Sequence, residues 1–355
     1  MPRGSIQAQS VYPVLDVTQW TLANGVVVVY KQVPEAEGYV LRAVAKGGWS
    51  SLSPRDSADA TRRLPRRWEA DGLTAMLTAH ERRIDAQGQD LEALLSSMSR
   101  VFAGAVPPAR APLTAVEALD PVVGFAANDA SDAVSLDALF ADPGAFTVVV
   151  VGAGESERAA SAAGRHLAPL QSRQGMTFSP RSLVTSSPIR LDGTGEQGVV
   201  DLALRIPARA GDEGPLQVLR GALEASLQHA DGGRLTVEAE RTPWTGTAWL
   251  RVVVEDSPLS ADALEAAVRE ALSGDALTIS RARRQLLRDL RSPTPQHWLE
   301  AVTQLYRDGG GRQPGRDPSS LSPLRAPLTR VTDSDVLTLA RRFAVSEDMA
   351  MILAP

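Results

Sequence analysis

The sequence predicts an α+β chain of two similar domains, each a mainly antiparallel sheet packed against helices. Three observations predict it. β-branched runs such as Val26 to Tyr30 recur along the chain, and amphipathic helical stripes follow them. A strand–turn–helix segment also appears twice, as FTVVVVGAGESERAASAAGRHL and as WLRVVVEDSPLSADALEAAVREAL. The two share pattern rather than identity, so the duplication is a weak one. With 355 residues, 43% of them hydrophobic, the chain can bury two cores. The domains are placed at residues 16–172 and 195–355, after an N-terminal extension, 1–15, and on either side of a linker, 173–194.

Val26 to Tyr30 and Val40 to Lys46, separated by the turn-rich stretch Pro34 to Gly38, suggest a hairpin. Gln89 to Phe102 places Leu91, Leu94, Leu95 and Met98 at i, i+3, i+4 and i+7, the stripe of a helix packing on a sheet. Residues 105–145 are rich in Pro, Ala and Asp with weak periodicity, which reads as loops and a short helix around Ser135 to Phe140. Phe146 to Leu170 reads as a buried strand, a tight glycine turn and a helix. Gln171 to Thr194 has little hydrophobic pattern and separates the halves as a linker would.

The second half restarts with a strand at Val199 to Ile206, a helix at Leu216 to Leu227, a strand at Thr247 to Glu255 and a helix at Asp262 to Leu272. Further helices are expected at Ser280 to Leu290 and at Gln296 to Arg307, the latter burying Trp298, Val302, Leu305 and Tyr306. A loop at Gly309, Gly310 and Gly311 ends it. Thr332 and Asp335 form a capping-box pattern ahead of Val336, Leu339, Ala340 and Phe343, and MAMILA closes the chain as a last strand.

The formal net charge is -5, and the cations are nearly all arginine, with Lys31 and Lys46 the only lysines. Mild acidity argues against nucleic acid, whose binding is driven by a concentrated basic surface. Arginine groups at Arg62, Arg63, Arg66 and Arg67 and at Arg281, Arg283, Arg284 and Arg288 read as solvated faces, with partner docking the weaker alternative. Cysteine is absent, which excludes disulfides, cysteine nucleophiles and thiolate metal sites and leaves both cytoplasm and periplasm open. No apolar run approaches the roughly 20 residues that span a bilayer, and MPRGSIQAQS lacks the apolar stretch of a secretory signal.

Chemistry-bearing motifs are few. Gly152 and Gly154 match the start of a dinucleotide fingerprint, but Glu157 stands where a small residue is needed, and Glu155 and Glu157 would repel a pyrophosphate. No cofactor is expected there; the glycines have a conformational use. In LTAHERRIDA, His80 and Glu81 raise a zinc helix. A forward H-E-x-x-H motif needs histidine at 84, where Ile84 stands, and the inverted H-x-x-E-H needs acid and histidine where Arg83 and Ile84 stand. His80 is then an ordinary surface or boundary histidine on a helix. The four histidines, His80, His166, His229 and His297, have no histidine partner at helical spacing, so no metal site is expected on this chain. There is no G-x-S-x-G elbow, and GGWSS lacks the second glycine of one. Glu238 and Glu240 share one face of a probable strand, a spacing common on solvated surfaces.

WTLANGVVVVYKQ with VLRAVAKGGWSSL, FTVVVVGAGESERAASAAGRHLAPL, TPQHWLEAVTQLY, and DVLTLARRF before MAMILAP together resemble the insulinase and pitrilysin class of zinc peptidases. The likeness is to the carboxy-terminal, non-zinc half of the large bacterial members. It covers about residues 16 to 355, and the NG hairpin with the closing strand–helix is its most specific part. The resemblance implies that the two domains form half of a hollow clamshell, completed by a partner chain or by another part of a longer one. It implies a zinc helix bearing H-x-x-E-H in one half and, in the other, an arginine and a tyrosine that contact the bound peptide.

This chain departs from both. The zinc motif is missing, and the stretch from Gly48 to Leu91 is shorter than the resemblance implies. The arginine position falls on Gln228 and the tyrosine position on Leu235, with Arg234 or Arg241 as candidate substitutes. Leucine offers no donor to a developing oxyanion. The expectation is a non-catalytic peptidase-like subunit with no catalytic residue, no cofactor and no metal of its own. It would pair with a homologous zinc-bearing subunit and hold a peptide on an exposed sheet edge. Trp49, Trp68, Trp244 and Trp249 are candidate partner contacts, with core packing as the ordinary alternative. Two alternatives stay open: a purely structural core-type subunit of a larger assembly, and an active zinc metallopeptidase with an unrecognised site.

Overall fold

The computed structural model describes residues 6–12, 17–48, 67–70, 72–77, 81–103, 114–119, 140, 142–171, 188–192, 198–209, 211–227, 234–242, 246–256, 260–274, 277–307 and 326–353. Its contacts divide the chain into two compact units. One takes Met1–Ala111, Phe125–Arg181 and Pro293–Leu321; the other takes Pro112–Gly124, Ser182–Ser292 and Ser322–Pro355.

In the first unit the strands are β1 (Ile6–Tyr12), β2 (Val17–Leu22), β3 (Val27–Gln32), β4 (Tyr39–Lys46), β5 (Arg67–Ala70), β6 (Leu73–Leu77), β7 (Glu81–Gly88) and β8 (Thr147–Gly152). They form one sheet in the order β1-β2-β3-β8-β4-β7-β6-β5. All neighbours are antiparallel except β3 and β8. Asn24 and Gly25 turn β2 into β3. Gly25 takes φ 85, as the last residue of a three-residue hairpin loop must, and Leu22 and Val26 close it with a 2.9 Å bond.

β3 and β4 do not form the hairpin expected from their sequences, because β8 lies between them. Every residue of β8 is buried. Val148 and Val150 face one side, and Val149 and Val151 the other. A strand apolar on both faces belongs at the centre of a sheet covered on both sides, and the other edge of β3 is already taken by β2.

One side of this sheet carries α1 (Leu91–Phe102), whose expected stripe is buried. The other side buries Val17, Val27, Val29, Val149 and Val151 against Leu299, Val302 and Tyr306 of α7 (Pro295–Arg307). Trp298 is half-buried, with Lys31 Nζ 4.9 Å from its ring centroid.

The second unit has β9 (Ile189–Asp192), β10 (Val199–Pro207), β11 (Arg234–Thr242), β12 (Thr247–Glu255) and β13 (Met349–Leu353), in the order β11-β12-β10-β13-β9. Only β13 and β9 are parallel. Ala248, Leu250, Val252 and Val254 alternate inward along β12. They meet a layer of α4 (Glu213–Leu227), α5 (Ala261–Ser273), α6 (Ile279–Asp289), α8 (Ala326–Arg330) and α9 (Asp333–Ala344). On the opposite face a short helix, α2 (Ala115–Ala118), packs Ala115 and Leu119 against Ala203, Ala350 and Ile352.

The two sheets share a strand order, but the strand–turn–helix segments paired in the sequence are not its equivalents: β8 answers to β13, and β12 to β7. β3-β8-β4-β7-β6 and β9-β13-β10-β12-β11 follow the same order, in which the closing strand lies between the first and second, parallel to the first. Each unit is also covered by one helix from within the other's stretch of sequence: α7 on β8 and β4, and α2 on β10 and β13. β1 lies in the stretch read as an extension and β9 in the stretch read as a linker. Of LTAHERRIDA, taken as a helix around His80, the residues from Glu81 onward lie in strand β7, paired along β4.

The glycines of VVVVGAGE have a packing role. Gly152 sits in register opposite Tyr39, and a β-carbon on Gly152 or Gly154 would overlap the Tyr39 ring or its hydroxyl. Tyr30 Oη lies within hydrogen-bonding reach of the carbonyls of Gly152, at 3.0 Å, and Gly154. The turn leads into α3 (Ser156–His166). Gly152→Ala is expected to cost about 1–3 kcal/mol by overpacking, measured by denaturant unfolding.

The capping box at the start of α9 is formed as the sequence predicts. Hydrogen bonds from the Thr332 hydroxyl, first, and from its backbone N–H hold the exposed Asp335 carboxyl below its ordinary pKa. A depressed folded pKa means stability that is complete above the unfolded value and lost as pH falls through the folded one. Asp335→Asn should therefore lower the melting temperature near neutral pH, and the difference from the parent should vanish in acid.

Candidate functional site

β11 forms one edge of the second sheet, pairing with β12 alone among the described strands. Its nine residues carry three of the four positions singled out by the sequence. Leu235 is partly buried against the helical core. Arg234 is 81% exposed at its side chain and 3.7 Å from Glu255, and Arg241 is half-buried at the other end of the strand. Gln228 lies outside the described residues. The leucine is thus turned into the core rather than across an open surface.

On the sheet face opposite the helices, strand pairing builds a polar ladder. Arg251 on β12 sits directly across from Glu238 on β11 and diagonally from Asp201 on β10. Its guanidinium donates to both Asp201 oxygens, at 2.8 and 2.9 Å, and to Glu238 Oε2 at 2.9 Å. Burial works against the charge of Arg251. Hydrogen bonds and attraction from Asp201 and Glu238 overcome it and hold the pKa above the ordinary guanidinium value.

Asp201 Oδ2 also accepts from the Ala115 N–H at 2.8 Å, at the first turn of α2. Four residues along β10, on the same face, Arg205 donates to the Leu119 carbonyl at 2.8 Å and pairs with Asp348 at 2.6 Å. An acid at the N-terminal end of α2 and a base at its C-terminal end match the helix's orphan donors and acceptors. Sequence reading missed this pair. Its signal was VVDLALRIP, where two charges four apart interrupt one face of an apolar strand.

The first unit repeats the device under α7. Arg307 Nη2 donates to Glu81 Oε1 at 2.6 Å, with both side chains buried, and Tyr306 Oη donates to Gln19 Oε1 at 2.5 Å. Arg42 and Arg83 share Asp85 at 2.6 and 2.5 Å. Burial, and then repulsion from Arg83, lowers the Arg42 pKa. On the sheet's other face Arg82 is 2% exposed and donates to the carbonyls of Gly47, at 3.1 Å, and Lys46, at 2.9 Å. Burial pushes its pKa down to about 10. Arg82 thereby pins the end of β4.

Two of the four histidines are described. His166 Nε2 is 2.6 Å from Glu92 Oε2, and His297 Nδ1 is 3.1 Å from Thr294 Oγ1. His80 and His229 lie outside the described residues, as do Trp49 and Trp244, and nothing is described of the Trp68 side chain. Among the described residues no three His, Asp or Glu side chains are grouped to hold a metal ion, and no helix is long and apolar enough to cross a membrane.

No family model matches the sequence, and no curated relative does either. Solved structures do match. A protease from Helicobacter pylori aligns over 96% of this chain and 99% of its own, at 12% identity and a TM-score of 0.60. A peptidase M16 inactive domain from Pseudomonas fluorescens aligns over 96% and 98%, at 12% identity and a TM-score of 0.58. The chain has the fold of the M16-like peptidases. The periplasmic protease PqqL from Escherichia coli aligns over all of this chain but 47% of its own, at 14% identity and a TM-score of 0.53. The chain thus spans about half the length of PqqL. The M16-like fold accounts for the repeated sheet order and for the insulinase and pitrilysin resemblance of the sequence.

Each carboxylate of the ladder under α2 is engaged by a guanidinium. Asp201→Ala would leave Arg251 without its bidentate partner and the Ala115 N–H without its acceptor. A loss of about 3–5 kcal/mol is expected for breaking such a buried pair, checked by denaturant unfolding.

Proposed function

We propose that this chain is a non-catalytic, peptidase-like subunit that pairs with a homologous zinc-bearing chain to enclose and process a peptide. The carrying observation is an M16-like fold on a sequence that contains no H-x-x-E-H anywhere along its 355 residues. Zinc in this chemistry needs several nitrogen or oxygen ligands and leaves one position for water. Four scattered histidines cannot supply that on one helix face.

Leu235 supports the same reading. Its side chain packs into the core at the position where the resemblance implies a phenol, so β11 contributes no donor there to a tetrahedral intermediate. The edge of β11 supports a binding role that needs no catalytic side chain. An edge strand that pairs on one side alone among the described residues offers main-chain donors and acceptors to an extended peptide. The inactive M16 domain among the similar structures is a precedent for this fold without activity.

The test is to purify the chain alone and together with a homologous chain that carries the inverted zinc motif. Metal analysis, native mass and cleavage of a labelled peptide are then measured on each. The lone chain should hold no stoichiometric zinc and cleave nothing, and the mixture should give a heterodimer whose cleavage is blocked by chelator. Chelator-sensitive cleavage by the lone chain, restored by zinc, would overturn the reading. A heterodimer that forms but neither binds nor cleaves peptide would favour the architectural alternative.

A further inference from the structure

One face of α6 plays no part in the core or in the polar ladders. Ile279 and Ala282 are buried, and Leu286 and Leu287 pack on the core, so the helix turns its other side outward. Arg281, Arg284 and Arg288 are all exposed there, and Arg291 is exposed in the turn beyond. The first three fall within about 60° around the helix axis, with rises of about 4.5 and 6 Å between neighbours.

Among the described residues the side chains of Arg281, Arg284 and Arg291 make no hydrogen bond or ion pair, and Arg288 donates only to Gln285. The nearby acids Asp289 and Asp333 bond to other groups. Asp289 accepts from Gln285 at 2.7 Å, while Asp333 accepts from Ser280 at 3.1 Å and lies 3.8 Å from Arg283. Like charges one turn apart destabilise a helix slightly, so folding gives no reason for the stripe. At its N-terminal end Leu277, Ile279 and Leu337 line a cleft of about 360 Å³, bordered by Thr278, Ser280, Arg281, Arg284 and one acid, Asp333.

We propose that the outer face of α6 docks an acidic segment of another protein, which lays carboxylates along Arg281, Arg284 and Arg288 and sets one apolar side chain into the cleft beside Leu337. Guanidinium groups pair with carboxylates through two parallel hydrogen bonds. Their spacing along α6 matches carboxylates one helical turn apart, about 5–6 Å. A nucleic acid would need a broad basic surface, and this chain has net charge -5. A membrane-surface helix would turn its apolar face outward, and α6 turns its own inward. The proposal does not depend on pairing with a zinc-bearing subunit.

The test uses the full chain and four probes followed by fluorescence: a labelled helical peptide with glutamates one turn apart and one leucine, its glutamine counterpart, phosphatidylserine vesicles, and a short DNA duplex. Only the glutamate peptide should bind. Combining Arg281→Glu, Arg284→Glu and Arg288→Glu should weaken it about tenfold or more. Salt near 1 M, where the Debye length is about 3 Å, should weaken it as well. The corresponding arginine-to-glutamine variant replaces the reversal if that one fails to fold. The proposal is overturned if the glutamate peptide binds no better than the glutamine one, if the variants bind as the parent does, or if vesicles or duplex bind instead.

Discussion

Strands that are apolar on both faces need cover on both faces, and this requirement organises each unit. β8 is buried along its whole length, and helices on one side alone would leave Val149 and Val151 in water beside Val27 and Val29. Burying such a side chain stabilises the fold by about 1.5–3 kcal/mol, which favours a second covering layer. In the first unit that layer is α7. In the second it is α2, over Ala203, Ala350 and Ile352. The same need explains why β8 and β13 come last in sequence within their sheets yet lie inside them.

The buried charges follow from the covering helices. A helix laid on a sheet brings unsatisfied backbone groups and polar ends against an apolar surface, and each must find a partner. Asp201 and Arg205 meet the two ends of α2, and Glu81 meets Arg307 at the end of α7. These charges therefore lie on the strands beneath the helices as parts of the architecture.

The elements most legible in the sequence were those whose local pattern decides their form. The stripe of α1, the capping box of α9, the Asn24–Gly25 turn and the alternation of β12 need no distant residue to be read. β1, β7 and β9 were missed because their periodicity is weak and a neighbouring strand stabilises them. The segment ERRIDAQG carries enough charge to pass for a helix surface. In the structure its acidic residues Asp85 and Glu81 pair with Arg42 and Arg307 on other elements, information absent from any local window.

The sequence by itself determined the α+β class and the want of a zinc motif, because hydrophobic period and residue identity are properties of the chain in order, whereas which strands repeat one another was decided by the sheet order. Tertiary structure alone decided that β8 separates β3 from β4, that α2 and α7 cover sheets outside their own stretches of chain, and that Leu235 packs inward. Each depends on which apolar faces meet across long separations, and burial rewards such meetings without regard to distance along the chain.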